Sequence, residues 1–248
     1  MGQVIVLCYH AVSPSWNAPL SVTPDALEYQ LQRLLRAGWQ PATFADAVLG
    51  RPRRKIFAVT FDDAFASVLE LAYPNMSSLG VPGTMFAPTA FMDHPQPLRW
   101  RGIEQWERTS HAGELRSMDW TQLRALAEDG WEIGSHTRTH PHLRELDDLH
   151  LTDELERSRE EISANLGFTC ETVAYPYGEA DERVADRARA VGYRAGAVLS
   201  RRLSALGPHR WPRIGVYHTD RNWRFRLKVN RYWRALRATA LWPADKPT

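Results

Sequence analysis

The chain has 248 residues, of which 44% are hydrophobic and 24% are charged, and its formal net charge at pH 7 is only +2. This composition predicts one large folded domain, or at most two small ones, and it excludes an intrinsically disordered chain. The small basic excess argues against a general nucleic-acid-binding protein, so we expect no nucleic-acid partner. Two cysteines are too few for a disulfide framework or a multi-cysteine zinc site.

The N-terminal residues show no targeting signal. They lack the basic segment of a signal peptide, and their apolar stretch ends at Cys8. Elsewhere no apolar run approaches the roughly 18 residues that a membrane-spanning helix requires. We therefore expect a cytoplasmic protein.

Seven short apolar segments have the pattern of buried strands. They comprise residues 4–9, 56–61, 83–87, 131–134, 172–175, 194–198 and 213–217. Helical patterns lie between most of them: the first opens at Thr23 and ends at Gly38, and the others cover residues 64–79, 119–129, 147–166 and 182–191. This alternation predicts parallel strands joined by helical crossovers. An open doubly wound sheet and a closed barrel both satisfy it, but seven strands without a Gly-x-Gly-x-x-Gly motif after the first favour a single-domain barrel.

One long segment between predicted elements has no regular pattern. Residues 88–118 contain Pro88, Pro95 and Pro97 together with scattered tryptophans. We expect a long loop with short helical pieces, which would form a lid over one face of the barrel.

The C-terminal segment has a composition of its own. Residues 221–241 contain seven basic and no acidic residues, and apolar residues recur there at helical spacing: Phe225, Val229, Trp233, Leu236 and Ala240. We therefore divide the chain into a barrel of residues 1–220 and a basic, Trp-rich C-terminal helix and tail of residues 221–248. A helix packed on the barrel is the simpler interpretation. Peripheral contact of residues 221–241 with an anionic membrane surface or a lipid-linked substrate is the alternative.

Two adjacent carboxylates, Asp62 and Asp63, follow the predicted strand 56–61. Burying them is unfavourable unless they meet a cation or a proton. Adjacent residues at a strand end can point in different directions, so one can bind a metal ion while the other remains free as a base. A helix cap or a turn is the alternative for this pair taken alone.

Two histidines, His136 and His140, follow the predicted strand 131–134. At this spacing both imidazoles lie on one face of a helical turn and can reach one metal ion, although a polar loop is the alternative. With an aspartate they form a facial set that leaves positions open for water or substrate. Both motifs lie at carboxyl ends of predicted strands, where barrel enzymes place their chemistry.

Two further strand ends carry candidate residues. In Tyr175-Pro176-Tyr177-Gly178 the proline fixes the backbone and the glycine permits an unusual turn, so that neighbouring N–H groups can point into the site. His218 directly follows the last predicted strand. We expect Tyr175, Pro176 and Trp120 to contact the substrate, and packing in the core is the alternative for the aromatic residues.

Taken together, these segments resemble the first three motifs of the polysaccharide deacetylases, the NodB-homology family also called carbohydrate esterase family 4. The motifs are Thr60-Phe61-Asp62-Asp63, His136-x-x-x-His140 and Tyr175-Pro176-Tyr177-Gly178, and the opening Cys8-Tyr9-His10-Ala11-Val12 is similar to the start of many members. The resemblance runs from about residue 4 to about residue 218. It implies an α/β fold, the distorted (β/α)7 barrel of the polysaccharide deacetylase type, in agreement with the seven predicted strands.

The resemblance also implies a role for each motif residue. Asp62 would be the general base, while Asp63, His136 and His140 would hold one divalent metal ion. That ion is usually zinc, and Co²⁺, Ni²⁺ and Fe²⁺ suit the same ligands. The backbone N–H of Tyr177 would stabilise the oxyanion of the tetrahedral intermediate.

This sequence departs from the family pattern at three positions. Ala174 stands where family members often carry arginine, Ala64 stands where many have glycine, and the Leu-x-His form of the last motif is absent. In the family, a histidine of that last motif protonates the leaving amine. His218 is our candidate for this acid, and His209 and His10 are the alternatives. The departures leave open which group orients the general base.

The activity that the resemblance implies is metal-dependent hydrolysis of an N-acetyl group on an amino sugar, which releases acetate and a free amine. Because no export signal is found, we expect the substrate to be an N-acetylhexosamine derivative in the cytoplasm: a glycolipid, a sugar-bearing metabolite or a polysaccharide precursor. A metal-dependent hydrolase of a ring amide, an imide or a specialised-metabolite amide is the first alternative. A catalytically silent carbohydrate-binding barrel is the second. The oligomeric state does not follow from the sequence.

Overall fold

The computed structural model describes residues 3–50, 52–93, 97–204 and 206–243. Pro95 of the predicted lid and the last five residues of the predicted tail lie outside these ranges. Within them the chain forms eleven strands and eight α-helices.

Short parallel strands form the centre of the molecule. In chain order they are β1 (Val4–Tyr9), β2 (Ala11–Val12), β3 (Ser21–Val22), β4 (Gln40–Ala42), β5 (Ile56–Asp62), β6 (Gly83–Ala87), β7 (Glu132–Ser135), β8 (Thr172–Ala174), β9 (Ala195–Val198), β10 (Trp211–Pro212) and β11 (Ile214–Gly215). The main sheet has the order β10-β9-β8-β7-β6-β5-β1-β11, with β4 beside β5, while β2 and β3 form a separate pair. The continuous apolar runs in β1, β5 and β6 are typical of strands that are covered on both faces.

The last strand closes the sheet because it is split between the two edges. β10 pairs with β9, β11 pairs with β1, and Arg213 lies between them. The N–H of Arg213 donates to the Val198 carbonyl (3.0 Å), and the N–H of Val216 donates to the Cys8 carbonyl (2.8 Å). The sheet is therefore nearly closed into a barrel of seven strand positions, which confirms the predicted distorted (β/α)7 barrel in a single domain.

Helices pack on the outside of this barrel. They are α1 (Pro24–Arg36), α2 (Phe44–Leu49), α3 (Tyr73–Ser78), α4 (Trp120–Glu128), α5 (Asp148–Leu166), α6 (Glu182–Ala190), α7 (Asn222–Val229) and α8 (Arg231–Arg237). The side chains of Thr23, Asp119 and Asp147 accept hydrogen bonds from the first turns of α1, α4 and α5, as expected for N-cap residues. No helix in the described ranges is long and apolar enough to cross a bilayer.

Several elements differ from the sequence-based expectation. The predicted helix 64–79 is a π-helical turn, Val68–Ala72, followed by α3, because Pro74 has no N–H to continue an α-helical ladder. The predicted C-terminal helix is two helices, since Asn230 adopts an extended conformation and its side chain caps α8. β2, β3, β4 and α2 were not predicted, because two to six residues are too few for a periodic pattern.

The amino-terminal end of the barrel is closed by α2. The N–H of Phe44 donates to the Thr84 hydroxyl (2.8 Å), and the N–H of Ala45 donates to the carboxylate of Glu132 (2.8 Å). The hydroxyls of Thr84 and Thr172 also donate to Glu132, at 3.0 and 2.5 Å. This end of the barrel is therefore a hydrogen-bonded plug, which leaves the carboxyl ends of the strands as the open face.

The described part of residues 88–118 carries three short 3-10 helices and is attached to loops at the open face. These helices are Thr89–Phe91, Glu104–Trp106 and Ala112–Leu115. The N–H of Thr89 donates to the Thr137 carbonyl (3.1 Å), and the N–H of Met118 donates to the Ala64 carbonyl (2.8 Å). Both ends of the segment are thereby attached to loops that carry candidate site residues.

Candidate active site

The carboxyl ends of β5 and β7 meet at one cavity. Asp62 is the last residue of β5, Asp63 follows it, and His136 follows β7. A cavity of about 270 Å³ opens there, and its lining includes these residues together with His10, Trp100, His140, Tyr177 and Tyr217. Asp62, Asp63, His136 and His140 are each at most 5% exposed. The open face therefore buries ionisable groups that need partners.

Asp63, His136 and His140 bring their polar atoms together. Oδ1 of Asp63 lies 3.3 Å from Nε2 of His136 and 3.5 Å from Nε2 of His140. Nδ1 of His136 lies 2.7 Å from the carbonyl oxygen of Ala174. Because a carbonyl can only accept, Nδ1 must carry the proton, and Nε2 of His136 keeps its lone pair for a cation.

The chemistry of this donor set fits a divalent metal ion. Oδ1 of Asp63 is buried and makes no hydrogen bond to any described residue, which is unfavourable unless a cation meets it. Burial lowers the pKa of His140 to about 3, so its imidazole is neutral near pH 7 and can act as a ligand. Burial also acts to lower the pKa of His136, but the carboxylates of Asp62 and Asp63 outweigh it and raise that pKa. The local field therefore favours a positive charge.

Asp62 has different partners from Asp63. The guanidinium of Arg213 donates to Oδ1 and Oδ2 of Asp62 at 2.6 and 2.7 Å, and the thiol of Cys8 donates to Oδ2 at 3.4 Å. Burial alone would raise the pKa of Asp62, but Arg213 and His136 hold it well below its usual range. Asp62 is therefore ionised, and the two-point ion pair fixes its orientation, as a general base requires.

Arg213 is a candidate functional residue that the sequence motifs did not indicate. Its side chain is 1% exposed and enters the barrel between β10 and β11, where the guanidinium carbon lies 5.5 Å from the centre of the Phe86 ring. Ala174, where family members often carry arginine, packs in the same interior cluster as Phe86. The arginine beside Asp62 thus comes from the last strand. In the sequence, the indication of this role was that a charged residue, Arg213, begins a strand that was predicted to be buried.

Left-handed backbone conformations concentrate around the cavity. In the described ranges, the non-glycine residues with positive φ are Asp63, Ala64, Thr137, His140 and Tyr177, with φ between 52° and 73°. Each such residue costs roughly 1–2 kcal/mol, and this strain is commonly found at functional sites. His136 and His140 therefore converge through a strained loop, and the predicted helical turn between them is wrong.

Aromatic rings from two other segments contact His140. Trp100, from the segment 88–118, stacks on the His140 ring with 4.1 Å between the ring centres. The ring centre of Tyr177 lies 4.8 Å from that of His140. His142 in turn stacks on the Tyr177 ring, with 3.7 Å between the ring centres. These contacts restrict rotation of the His140 ring and give the cavity an aromatic wall.

Three residues expected to contact a substrate do not line this cavity. Tyr175 is fully buried, its ring lies against Gly196, and its hydroxyl donates to the His209 carbonyl (2.8 Å). Pro176 is also buried, and Trp120 begins α4 and packs against the hydrophobic core. The expectation is therefore corrected: Tyr175, Pro176 and Trp120 pack in the interior or against the core. Within the motif of residues 175–178, Tyr177 is the residue whose side chain lines the cavity.

Of the three candidate acids, His10 is the one that faces the cavity. His218 lines a separate cavity of about 530 Å³ between α1 and α7, although its neighbour Tyr217 lines both. Nε2 of His209 lies 2.9 Å from the Tyr193 carbonyl, away from the site. Nδ1 of His10 is buried and has no hydrogen-bond partner within the described ranges. The geometry favours His10, and His218 is not brought to the aspartates.

Comparison with known proteins identifies the family. The sequence model of the polysaccharide deacetylase family matches residues 50–196, more than half of the chain. The chain therefore belongs to the polysaccharide deacetylase family, which confirms the resemblance seen in the motifs. YxkH of Bacillus subtilis (strain 168), a protein named for this family, is 25% identical over 200 residues, which are 79% of this chain and 64% of YxkH. The chain thus spans less than two thirds of the length of that relative.

Solved structures of similar proteins have the same fold. The Streptococcus pyogenes deacetylase PplD, in complex with acetate, superposes with a TM-score of 0.75 at 20% identity, covering 92% of this chain and 98% of PplD. BC0361, a polysaccharide deacetylase from Bacillus cereus, gives a TM-score of 0.72 at 19% identity, covering 92% of this chain and 69% of BC0361. IcaB from Ammonifex degensii gives 0.69 at 22% identity, over 87% of this chain and 92% of IcaB. At these identities the likeness establishes the fold.

Proposed function

We propose that the protein hydrolyses the N-acetyl group of an amino sugar in a glycan or glycoconjugate, and that it requires one divalent metal ion. The products are acetate and a free amine. The observation that carries this proposal is the presence, in one cavity, of a carboxylate paired with an arginine beside a His-His-Asp set whose aspartate oxygen lies against both imidazoles and makes no hydrogen bond. Membership of the polysaccharide deacetylase family supports the same class of substrate.

The metal would be held by Asp63, His136 and His140. We propose zinc, and Co²⁺, Ni²⁺ and Fe²⁺ suit the same ligands. When bound, a divalent cation supplies Lewis-acid polarisation of the amide carbonyl and lowers the pKa of water. The hydrogen bond from His136 to the Ala174 carbonyl and the stacking of Trp100 on His140 orient the two imidazoles for this purpose.

Asp62 would act as the general base. Its role is to accept a proton from the attacking water as the oxygen attacks the carbonyl carbon of the acetamido group. Arg213 keeps Asp62 ionised and holds both of its oxygens in place. Two adjacent aspartates would thereby have separate tasks, one as a metal ligand and one as a base.

Tyr177 and His10 would complete the reaction. We assign the backbone N–H of Tyr177 to the developing oxyanion, because its left-handed conformation sets it at the cavity wall. His10 would donate a proton to the nitrogen of the leaving amine as the carbon–nitrogen bond breaks. The Trp100 and Tyr177 rings suit stacking against a sugar.

The test is acetate release from a panel of N-acetylated sugars by protein that has been stripped of metal and reconstituted with zinc or cobalt. The panel spans free N-acetylglucosamine, nucleotide-linked and lipid-linked forms, and chitooligosaccharides. We expect metal-dependent acetate, and Asp62→Asn should retain the metal while lowering turnover by on the order of 10²–10⁴. Wild-type rates in Asp62→Asn would remove Asp62 from the role of base. If the metal-bound protein released no acetate from any sugar of the panel, the proposed substrate class would be overturned.

A matched pair of histidine variants tests the acid. His10→Ala should lower turnover with little change in metal content, whereas His218→Ala should leave turnover unchanged because His218 lines a different cavity. The reverse result would restore His218 as the acid.

A further inference from the structure

The segment 221–241 lies beyond the part of the chain that matches the family, and it carries an unusual surface. Eight large hydrophobic side chains are exposed in the part of the chain that the structure describes, and five of them lie in this segment: Trp223, Leu227, Tyr232, Leu236 and Leu241. Trp223 and Tyr232 are 63% and 68% exposed. We call these five side chains the C-terminal apolar surface.

The opposite side of the same helices is firmly attached to the barrel. Phe225 is fully buried, and the ammonium of Lys228 donates to the carboxylate of Asp220 (2.5 Å) and to the Gly215 carbonyl (2.8 Å). Arg234 of α8 lies over the ring of Trp39. Because other side chains anchor α7 and α8, the C-terminal apolar surface is not needed to hold them in place.

The exposed apolar residues form a stripe on each helix. Trp223 and Leu227 are four residues apart on α7, and Tyr232 and Leu236 are four apart on α8, so each pair shares one helix face. Four such side chains on solvent-facing stripes are unfavourable in water unless they meet an apolar phase or partner.

The charges around these stripes decide between possible partners. The segment has seven basic and no acidic residues, and the exposed Arg224 and Arg231 guanidinium groups lie over the rings of Trp223 and Tyr232, at 5.3 and 4.4 Å from the ring centres. Arginine beside aromatic rings also occurs in protein interfaces, but a protein partner would need a strongly acidic surface to match seven cations. A nucleic acid would use the arginines and leave the leucines in water. Interleaved Arg, Trp, Tyr and Leu on surface helices match the headgroup region of an anionic bilayer.

We propose that residues 221–241 are a docking surface for an anionic lipid bilayer. The aromatic and leucine side chains enter the headgroup region, and the arginines bind lipid phosphates. Tyr217 lines both the catalytic cavity and the neighbouring cavity that Trp223 also lines. Arg234 of α8 donates to the carbonyl of Val4 at the start of β1. The proposed docking surface therefore extends along the side of the barrel, from near the open face towards the closed end.

Vesicle binding by the full chain tests this surface without depending on any enzymatic activity. The probes are vesicles of phosphatidylcholine alone and of phosphatidylcholine mixed with phosphatidylglycerol, and the readouts are flotation and tryptophan fluorescence. We expect binding to the anionic vesicles, weakened by salt. The variant Arg221→Glu/Arg224→Glu/Arg226→Glu should bind on the order of 100-fold more weakly. The variant Trp223→Ser/Tyr232→Ser should lose roughly tenfold or more.

Matched controls come from the other faces of the molecule. Leu149→Ser/Phe168→Ser removes exposed apolar side chains from α5 and the loop after it, and Arg157→Glu/Arg189→Glu reverses exposed charges on α5 and α6. These variants should bind like the wild type, and circular dichroism establishes that all variants are folded. Absence of binding to anionic vesicles, equal binding to neutral vesicles, or equal losses in the controls would each overturn the proposal. So would retention of a DNA duplex in place of vesicles.

Discussion

The two ends of the barrel differ in how many hydrogen bonds the protein provides to a carboxylate in the barrel. At the closed end, Glu132 accepts hydrogen bonds from the Ala45 N–H and from the hydroxyls of Thr84 and Thr172. At the open end, Oδ1 of Asp63 is buried and makes no hydrogen bond to a described residue. Enclosure by the barrel does not by itself mark a functional carboxylate, because Glu132 is partly buried as well. The distinguishing property is whether the protein satisfies the group by itself.

The largest expected effect is at the open end. His136→Ala removes one of the three candidate ligands, so stoichiometric zinc and acetate release should be lost together. Glu132→Gln, at the closed end, should retain both zinc and acetate release. The amide preserves the shape of a side chain that already has hydrogen-bond partners in the protein. Metal content after reconstitution, measured by mass spectrometry, checks the pair. Full zinc content in His136→Ala, or its loss in Glu132→Gln, would contradict the contrast.

The second prediction concerns Asp62, the carboxylate at the open end that has hydrogen-bond partners in the protein. Arg213→Met leaves Asp62 buried without its cation and should lower the free energy of unfolding by about 3–5 kcal/mol. The double variant Asp62→Asn/Arg213→Met should recover part of this loss, since no uncompensated charge remains. Urea denaturation of these two variants and of Asp62→Asn alone measures the coupling, and strictly additive losses would show that the pair does not interact as described.

Relocating the arginine sharpens this prediction. Ala174 and Phe86 share the interior cluster that lies beside the guanidinium of Arg213. Arg213→Met should lower turnover by on the order of 10² through misplacement of Asp62, the proposed base. Ala174→Arg in the Arg213→Met background should restore part of it. No recovery in a folded variant would mean that only the last strand can orient Asp62.

The third prediction is a pH dependence of stability at the closed end. Burial, reinforced by the nearby charge of Asp46, raises the pKa of Glu132 against the effect of its hydrogen bonds. The unfolded chain ionises first as pH rises, so the contribution of Glu132 is most favourable below an ordinary glutamate pKa and is lost as pH rises through the folded pKa. Urea denaturation from about pH 4 to about pH 8 should therefore favour Glu132→Gln increasingly as pH rises. A difference that is independent of pH would contradict this.

The smallest effect is expected at Ala64, the left-handed residue that stands where many family members have glycine. Ala64→Gly relieves the backbone strain but removes a buried methyl group, so its stability should remain within about 1 kcal/mol of wild type. Ala66→Gly removes a similarly buried methyl without such relief and should lose more. Thermal unfolding of the two variants makes the comparison, and equal losses would show that the strain at Ala64 is negligible.

Much of the fold followed from local pattern. The continuous apolar runs of β1, β5 and β6 were predicted almost to the residue, because strands covered on both faces leave an unbroken apolar signal. The two-residue strands β10 and β11 were not separated, since the split depends on pairing with β9 on one side and β1 on the other. Asn230 likewise interrupts residues 221–241, whose apolar spacing predicts one helix.

The sequence by itself determined the family, the barrel and the four candidate residues Asp62, Asp63, His136 and His140, because these depend on residue type and spacing at strand ends. Only the tertiary structure decided which partners those residues have. It placed Arg213 on Asp62, turned His10 rather than His218 towards the cavity, and buried Tyr175 against Gly196. These contacts join residues that are distant in the chain, and they follow from closure of the barrel and from the direction in which each side chain leaves its strand, neither of which a local pattern contains.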